Sequence, residues 1–173
     1  MPENTNDIRR KTGADHAIDA IDRKLLGLMS EDATRTYAEM GRLLHLSPPA
    51  VHERVKKLRR NEVIRKTSVS LDGKKIGKPL LAFVHVDTTG WGKNEQTMAL
   101  RDFPEVEEIH SVAGDACLML KVRTSDARAL EALLEHVYKI DGVKGTRSYV
   151  VLNTYLERGV QPDETAEIVA IAD

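Results

Sequence analysis

Residues 36–60 have the sequence Thr-Tyr-Ala-Glu-Met-Gly-Arg-Leu-Leu-His-Leu-Ser-Pro-Pro-Ala-Val-His-Glu-Arg-Val-Lys-Lys-Leu-Arg-Arg. The first part predicts a short amphipathic helix, because four apolar residues recur at helical spacing: Tyr37, Met40, Leu43 and Leu44. His45 and Leu46 close this helix. Ser47 followed by Pro48 predicts that a second helix starts there, because a serine hydroxyl accepts an orphan backbone N–H and proline is tolerated at the first helical position.

The second helix has one apolar side and one cationic side. Val51, Val55 and Leu58 lie within roughly 60° of each other on a helical wheel. The opposite side carries His52, Lys56, Arg59 and Arg60. Residues 41–66 contain eight Lys/Arg against two Asp/Glu. A packed helix, a turn and a cationic second helix are typical of the helix-turn-helix that reads DNA, and the alternative is a solvated helix hairpin with an ordinary charged surface.

The net charge of −1 conceals an uneven distribution along the 173 residues. Residues 18–78 contain 14 basic and 8 acidic side chains, whereas residues 79–173 contain 9 basic and 16 acidic ones. A basic first half joined to an acidic second half indicates a nucleic-acid surface on the first and a different task for the second.

Several classes of protein do not fit this composition. Cys117 is the only cysteine, which excludes an intramolecular disulfide or a cysteine-based zinc cluster. His45 and His52 are seven residues apart with no partner at ligand spacing, and no glycine-rich phosphate loop is present, so neither a metal nor a cofactor is predicted. No apolar run approaches the roughly 18 residues of a membrane span, and no signal peptide is recognisable, so we expect a cytoplasmic protein without a membrane partner.

The first half is predicted to form one DNA-binding domain over residues 18–71. Residues 1–17 are polar and predict a mobile tail. A first helix is expected from Asp19 to Met29, with a buried stripe of Ile18, Ile21, Leu25, Leu26 and Met29. The β-prone run over residues 63–71 predicts a wing or strand, and the turn-rich, basic residues 72–79 predict a hinge.

The second half, residues 80–157, alternates between strand and helix patterns. Strands are predicted at 80–88, 106–112, 117–123 and 144–153, and helices at 94–103 and 126–140. This β-α-β-β-α-β order predicts a ferredoxin-like domain with helices on one face of the sheet, so the fold class is α+β. Apolar residues on the open face would favour pairing with a second copy. Residues 158–173 are left as a short acidic tail.

The ordered motifs resemble those of the Lrp/AsnC, or feast/famine, transcriptional regulators from about Ile18 to Tyr155. The motifs are Ile18-Asp19-x-x-Asp22-Arg23-Lys24-Leu25-Leu26, Leu46-Ser47-Pro48, Val51-His52-Glu53-Arg54-Val55-Lys56-Lys57-Leu58, Val63-Ile64, Val112-Ala113-Gly114-Asp115, Leu120-Lys121-Val122 and Thr146-Arg147-Ser148-Tyr149-Val150-Val151. No single motif is decisive, but their ordered occurrence on one chain is specific.

The resemblance implies a winged helix-turn-helix that binds double-stranded DNA and a βαββαβ domain that dimerises, assembles to tetramers or octamers and binds amino acids or related metabolites. It places six residues at the major groove or its phosphates: Ser47, Pro49, His52, Glu53, Lys56 and Lys57. The cationic side of the helix adds Arg59 and Arg60. Arg54 lies on the flank of the packed face, where we expect it to pair with Asp22 or another acid of the first helix.

The resemblance also implies an effector site at the Gly114-Asp115 turn, completed by neighbouring main chain and by the last strand. Its predicted residues are Ala113, Gly114, Asp115, Ala116, Tyr149 and Val150. A carboxylate can pair with the ammonium of an amino acid while backbone N–H groups receive its carboxylate. The plainer interpretation is that glycine and aspartate merely make a β-turn here.

Some positions depart from the family pattern. Arg59, Glu62 and Thr67 stand where the family usually has Glu, Gly and an aromatic, and Cys117-Leu118 replaces a common Asp-Tyr. Arg59 makes the helix more cationic, which favours non-specific affinity for DNA. This favours the alternative function of an architectural protein that compacts the nucleoid. A sirohaem decarboxylase group shares this architecture, which makes an enzyme a further alternative. In this chain the candidate acid/base residues would be His85 and His110, on strands of the second domain. The intact basic helix argues against an enzyme.

Overall fold

The computed structural model describes residues 18–89 and 95–163. The predicted tail over residues 1–17 therefore lies outside the described residues. Two compact units are present. The described residues up to Ser68 and from Arg158 onward form the first unit, and Val69–Glu157 form the second.

Three helices make up most of the first unit: α1 (Ala20–Glu31), α2 (Tyr37–Leu44) and α3 (Pro48–Arg60). Each begins at a side chain that accepts a backbone N–H, namely Asp19, Thr36 and Ser47. The apolar stripes meet in one core of Leu25, Met40, Val51, Val55 and Leu58. The helices predicted for residues 36–60 are thereby confirmed.

The segment after α3 differs from the expected strand. Val63 and Ile64 pack against the helical core, and both backbone N–H groups donate to the carbonyl oxygen of Leu58, at 2.9 and 3.2 Å. Residues 65–71 lie exposed without a strand partner in the described part of the chain. A β-prone sequence becomes a strand only where a neighbouring strand satisfies its backbone groups.

The second unit has the predicted β-α-β-β-α-β order. Its elements are β1 (Leu80–Thr88), α4 (Glu95–Met98) continued by a 3-10 turn (Ala99–Asp102), β2 (Val106–Ser111), β3 (Leu118–Thr124), α5 (Ala127–Tyr138) and β4 (Val143–Val150). The four strands form an antiparallel sheet in the order β2-β3-β1-β4.

The two faces of this sheet differ in burial. Side chains such as Val84 and Leu120 are fully buried against Leu130, Leu133 and Val137 of α5. The other face holds Phe83, His85, Met119 and Tyr149, as the register shows by pairing Phe83 with Tyr149 and His85 with Met119. Charged residues share this open face, so it is mixed in character rather than uniformly apolar. Lys121 Nζ lies 3.3 Å from Glu107, and Arg123 Nε lies 2.6 Å from the same residue.

Among the helices that the structure describes, none is long and apolar enough to cross a membrane.

Candidate nucleic-acid interface and effector turn

The cationic side of α3 is exposed and its apolar side is buried. Val51, Val55 and Leu58 are at most 3% exposed. The eight predicted DNA-contact residues are all exposed: Ser47, Pro49, His52, Glu53, Lys56, Lys57, Arg59 and Arg60. This arrangement presents the charges together because residues on one side of an amphipathic helix share a surface when the other side packs.

A tight turn sets the position of α3 relative to α2. The N–H of Leu46 donates to the carbonyl of Gly41 at 2.8 Å, and a Cβ at Gly41 would lie 2.6 Å from the oxygen of Leu46. His45 ends α2 with a φ of 55°, a left-handed conformation that usually falls to glycine or asparagine. Ser47 then caps α3 by accepting the N–H of Ala50 at 3.4 Å.

Arg54 has the structural role expected from the sequence. Its Nη1 lies 2.7 Å from Asp19 Oδ2 and 2.7 Å from Asp22 Oδ1. The Asp22 side chain is only 4% exposed, so the guanidinium neutralises a nearly buried carboxylate. The hydrogen bond from Arg54, with a further one from the N–H of Asp22, holds the pKa of Asp19 below its ordinary value. This pairing clamps α3 to the first turn of α1 and confirms the prediction.

His52 has a neighbour that sequence reasoning assigned only to the core. The ring of Tyr37, at the start of α2, lies 5.5 Å from the His52 ring, centroid to centroid. Glu53 Oε1 lies 3.7 Å from His52 Nδ1 and 4.0 Å from Lys56 Nζ. Tyr37 thus supports an exposed residue of α3. The sequence signal that could have indicated this contact is the position of Tyr37, an aromatic residue at the start of α2, a helix that must pack against α3.

The predicted effector turn connects β2 to β3. Ala113, Gly114 and Asp115 are exposed, and Ala116 is buried. Arg147 of β4 donates from Nη2 to the main-chain oxygen of Asp115 at 2.9 Å. This bond is made to the main chain of Asp115 and not to its carboxylate. Sequence reasoning missed this contact of Arg147 with the turn, although Arg147 lies within the quoted motif of the last strand.

Arg147 also lies near a second acid, Asp87 at the end of β1, with Nη2 3.4 Å from Oδ1. Its guanidinium therefore links β1, β4 and the turn. A planar donor with several N–H groups is suited to holding three elements at once.

Tyr149 and Val150 lie apart from the turn within one chain. The strand next to the turn begins at Leu118, which pairs with Val86 of β1, whereas Tyr149 and Val150 pair with Phe83 and Ala82. At about 3.3 Å per residue these positions are roughly 10 Å or more apart along the sheet. The Tyr149 ring instead lies 5.1 Å from the ring of His85. Within one chain, the six predicted effector residues therefore form two separate groups: residues 113–116 in the turn, and Tyr149 and Val150 on β4.

The two histidines considered for catalysis have different partners. His85 lies against Tyr149, and His110 Nε2 lies 2.9 Å from Glu108 Oε2. Both face the open side of the sheet, but β3 separates their strands. Within residues 18–89 and 95–163, no three His, Cys, Asp or Glu side chains converge as metal ligands.

Two sequence profiles match the two parts of the chain. Residues 18–59 match the AsnC-type helix-turn-helix domain, and residues 81–161 match the Lrp/AsnC ligand binding domain. The first match covers α1, α2 and all but the last residue of α3, and the second covers all but the first residue of the antiparallel sheet.

Known relatives extend over most of this chain. The HTH-type transcriptional regulator FL11 of Pyrococcus horikoshii is 31% identical over 140 residues, which cover 81% of this chain and 93% of that protein. The HTH-type transcriptional regulator LrpA of Mycobacterium tuberculosis is 35% identical over 140 residues, 80% of this chain and 93% of that protein.

A solved structure has the same fold. It is the feast or famine regulatory protein from M. tuberculosis complexed with L-methionine, with a TM-score of 0.75 and 34% identity over 82% of this chain and 96% of that one. Fold, ordered motifs and near full-length similarity agree, and the chain therefore belongs to the Lrp/AsnC family of DNA-binding transcriptional regulators.

Proposed function

We propose that this protein is a homo-oligomeric, sequence-specific transcriptional regulator whose binding to double-stranded DNA is modulated by an amino acid or a related small metabolite. The observation that carries the proposal is the exposed cationic side of α3, held in place by the Arg54 clamp behind it. A rigid helix with one charged side is the form in which a helix-turn-helix enters the major groove.

The exposed residues of α3 divide into two groups by position. Ser47, Pro49 and His52 lie at the N-terminal end of the helix, the part that contacts base edges in this motif. Lys56, Lys57, Arg59 and Arg60 continue along the exposed side and are suited to phosphates. The first group would supply sequence preference, and the second would supply affinity that falls as salt rises.

The Gly114-Asp115 turn is the proposed place for the effector. An α-amino acid carries one ammonium and one carboxylate, which complement the Asp115 carboxylate and the N–H groups of an exposed turn. The related M. tuberculosis structure is described as complexed with L-methionine. Arg147 would position the turn through the main-chain oxygen of Asp115. Because Tyr149 and Val150 lie apart from the turn, we propose that a second subunit supplies them.

The open face of the sheet is the proposed surface for pairing with a second copy. Phe83 is 37% exposed and Tyr149 is 54% exposed, and they pair directly across β1 and β4. Two such faces packed around a two-fold axis would bury these rings, and dimers would then assemble to tetramers or octamers. A two-fold dimer would present two copies of α3 and favour pseudo-palindromic half-sites about one helical turn apart.

The test is a binding curve for the DNA upstream of the protein's own gene against a scrambled fragment, at two salt concentrations, with and without single amino acids. We expect tighter binding to the upstream fragment, weakening with salt and shifted by one amino acid. Asp115→Ala should abolish the amino-acid shift and leave binding without effector unchanged. No binding to either fragment at low salt would overturn the proposal.

A second candidate function is architectural DNA compaction without an effector. The observation that favours it is a set of exposed cations outside α3: Arg65, Lys66, Lys74 and Lys75. Such charges add affinity that does not depend on sequence. Equal binding to the upstream and scrambled fragments, without any amino-acid response, would support this function over the first.

A further inference from the structure

The chain after the sheet returns to the helical unit and packs on α1. Arg23 of α1 donates from Nη1 to the carbonyl oxygen of Pro162 at 2.7 Å. The Pro162 ring lies over Gly27, where an added Cβ would be 3.7 Å from its Cγ. Both contacts involve the one face of α1 that Arg23 and Gly27 share, since residues four apart are neighbours on a helix. Pro162 therefore lies on α1, one residue before Asp163.

A groove lies beside this contact, between α1 and α2. Its volume is about 410 Å³, within the range of peptide and ligand clefts. It is lined by Arg23, Lys24, Gly27, Leu28, Glu31, Leu43, Leu44 and Asp163. Leu43 is 58% exposed there, although it belongs to the apolar stripe of α2. The groove is thus lined by three leucines, by the cations Arg23 and Lys24 and by the acids Glu31 and Asp163.

The next ten residues of the chain have a composition that fits this groove. Residues 164–173 have the sequence Glu-Thr-Ala-Glu-Ile-Val-Ala-Ile-Ala-Asp, with three acids and no basic residue. Five consecutive apolar residues occupy positions 168–172. Runs of more than three or four apolar residues are avoided on protein surfaces unless they contact something. Because Asp163 already lines the groove, these residues follow directly from its edge.

We propose that the groove between α1 and α2 is the docking site of residues 164–173 of the same chain. Ile168, Val169 and Ile171 would cover Leu43 and the half-buried Leu28 and Leu44. The acids Glu164 and Glu167 would lie near Arg23 and Lys24. Attachment at Asp163 makes the encounter intramolecular, so weak contacts suffice for high occupancy. Docking would stabilise α1 and α2, which support the DNA-reading helix.

The proposal is tested by amide hydrogen exchange on the full chain and on a chain ending at Asp163. We expect exchange in α1 and the last turn of α2 to be about tenfold faster in the shortened chain, because docking suppresses local opening. Exchange in α5 of the other unit should be the same in both and serves as the reference. Leu43→Asp in the full chain should produce the same acceleration as the truncation.

Ala38→Asp provides the matched control, because Ala38 is exposed on the same helix but does not line the groove. It should retain the slow exchange of the full chain. Equal exchange rates in the full and shortened chains, or an ineffective Leu43→Asp, would overturn the proposal. Protection that increases with protein concentration would also overturn it, because the occupant would then be a second copy.

Discussion

At the scale of single residues, two arginines of α3 show how neighbouring positions on one helix take different tasks. The Arg54 side chain is 29% exposed and is bonded to Asp19 and the nearly buried Asp22. Arg59, five residues later, is exposed on the cationic side. The difference follows from the helical wheel, which turns Arg54 toward α1 and Arg59 toward solvent.

Arg54→Met should lower the free energy of unfolding by about 2–3 kcal/mol, because the Asp22 carboxylate would remain nearly buried without its charged donor. Urea unfolding followed by circular dichroism measures this loss. Arg59→Met is the matched control and should change stability by no more than about 0.5 kcal/mol while weakening DNA binding. If the two substitutions lowered the free energy of unfolding equally, the pairing of Arg54 with Asp19 and Asp22 would not be a specific source of stability.

At the scale of elements, α3 functions as a unit because its cap, its buried stripe and its turn all depend on α1 and α2. Gly41 permits the close approach of Leu46, and Ser47 starts the helix directly afterward. The exposed lysines therefore share one rigid support and should contribute similarly to DNA binding.

Lys56→Gln and Lys57→Gln should each weaken binding to specific and scrambled DNA alike, and each should reduce the salt slope of log K by about one. Titrations at several salt concentrations measure the slope. Lys139→Gln, at the exposed end of α5, removes the same charge elsewhere and should leave the slope unchanged. If neither α3 substitution changes the salt slope, these two lysines do not contact DNA phosphates.

At the scale of the whole molecule, α5 covers one face of the sheet and the opposite face is covered only in part, where Glu157 bonds to Lys121 and Arg123. Phe83 and Tyr149 are exposed on this opposite face, among charged residues that include Lys121. A two-fold pairing must bury the rings and leave the charges paired, because an unpaired buried charge is costly.

Phe83→Asp should raise the dimer dissociation constant by at least about tenfold, because a carboxylate would replace an aromatic ring at the centre of the paired faces. Sedimentation equilibrium measures the change. Ala127→Asp adds the same charge at the exposed start of α5, on the other side of the sheet, and should preserve the dimer. If Phe83→Asp keeps the parent mass at every concentration, another surface forms the dimer.

Much of the fold was predictable because its signals are local. The helical spacing of Tyr37, Met40 and Leu44, and the serine followed by proline at residue 48, depend on residues within one or two turns of each other. The strand β1 was predicted with its observed ends, Leu80 and Thr88. The strand predicted over residues 63–71 is not formed, because strand formation needs a neighbouring strand that the local sequence does not contain.

The sequence by itself determined the order of elements, the cationic side of α3 and the position of Arg54 on the flank of the packed face, since amphipathic periodicity and charge are properties of short segments. Only the tertiary structure decided that Arg147 contacts the effector turn, that Tyr149 and Val150 lie apart from it, and that Pro162 packs on α1. These contacts join residues 32 to 139 positions apart, or depend on strand register. Such distances are fixed by how the elements pack, which no local pattern records.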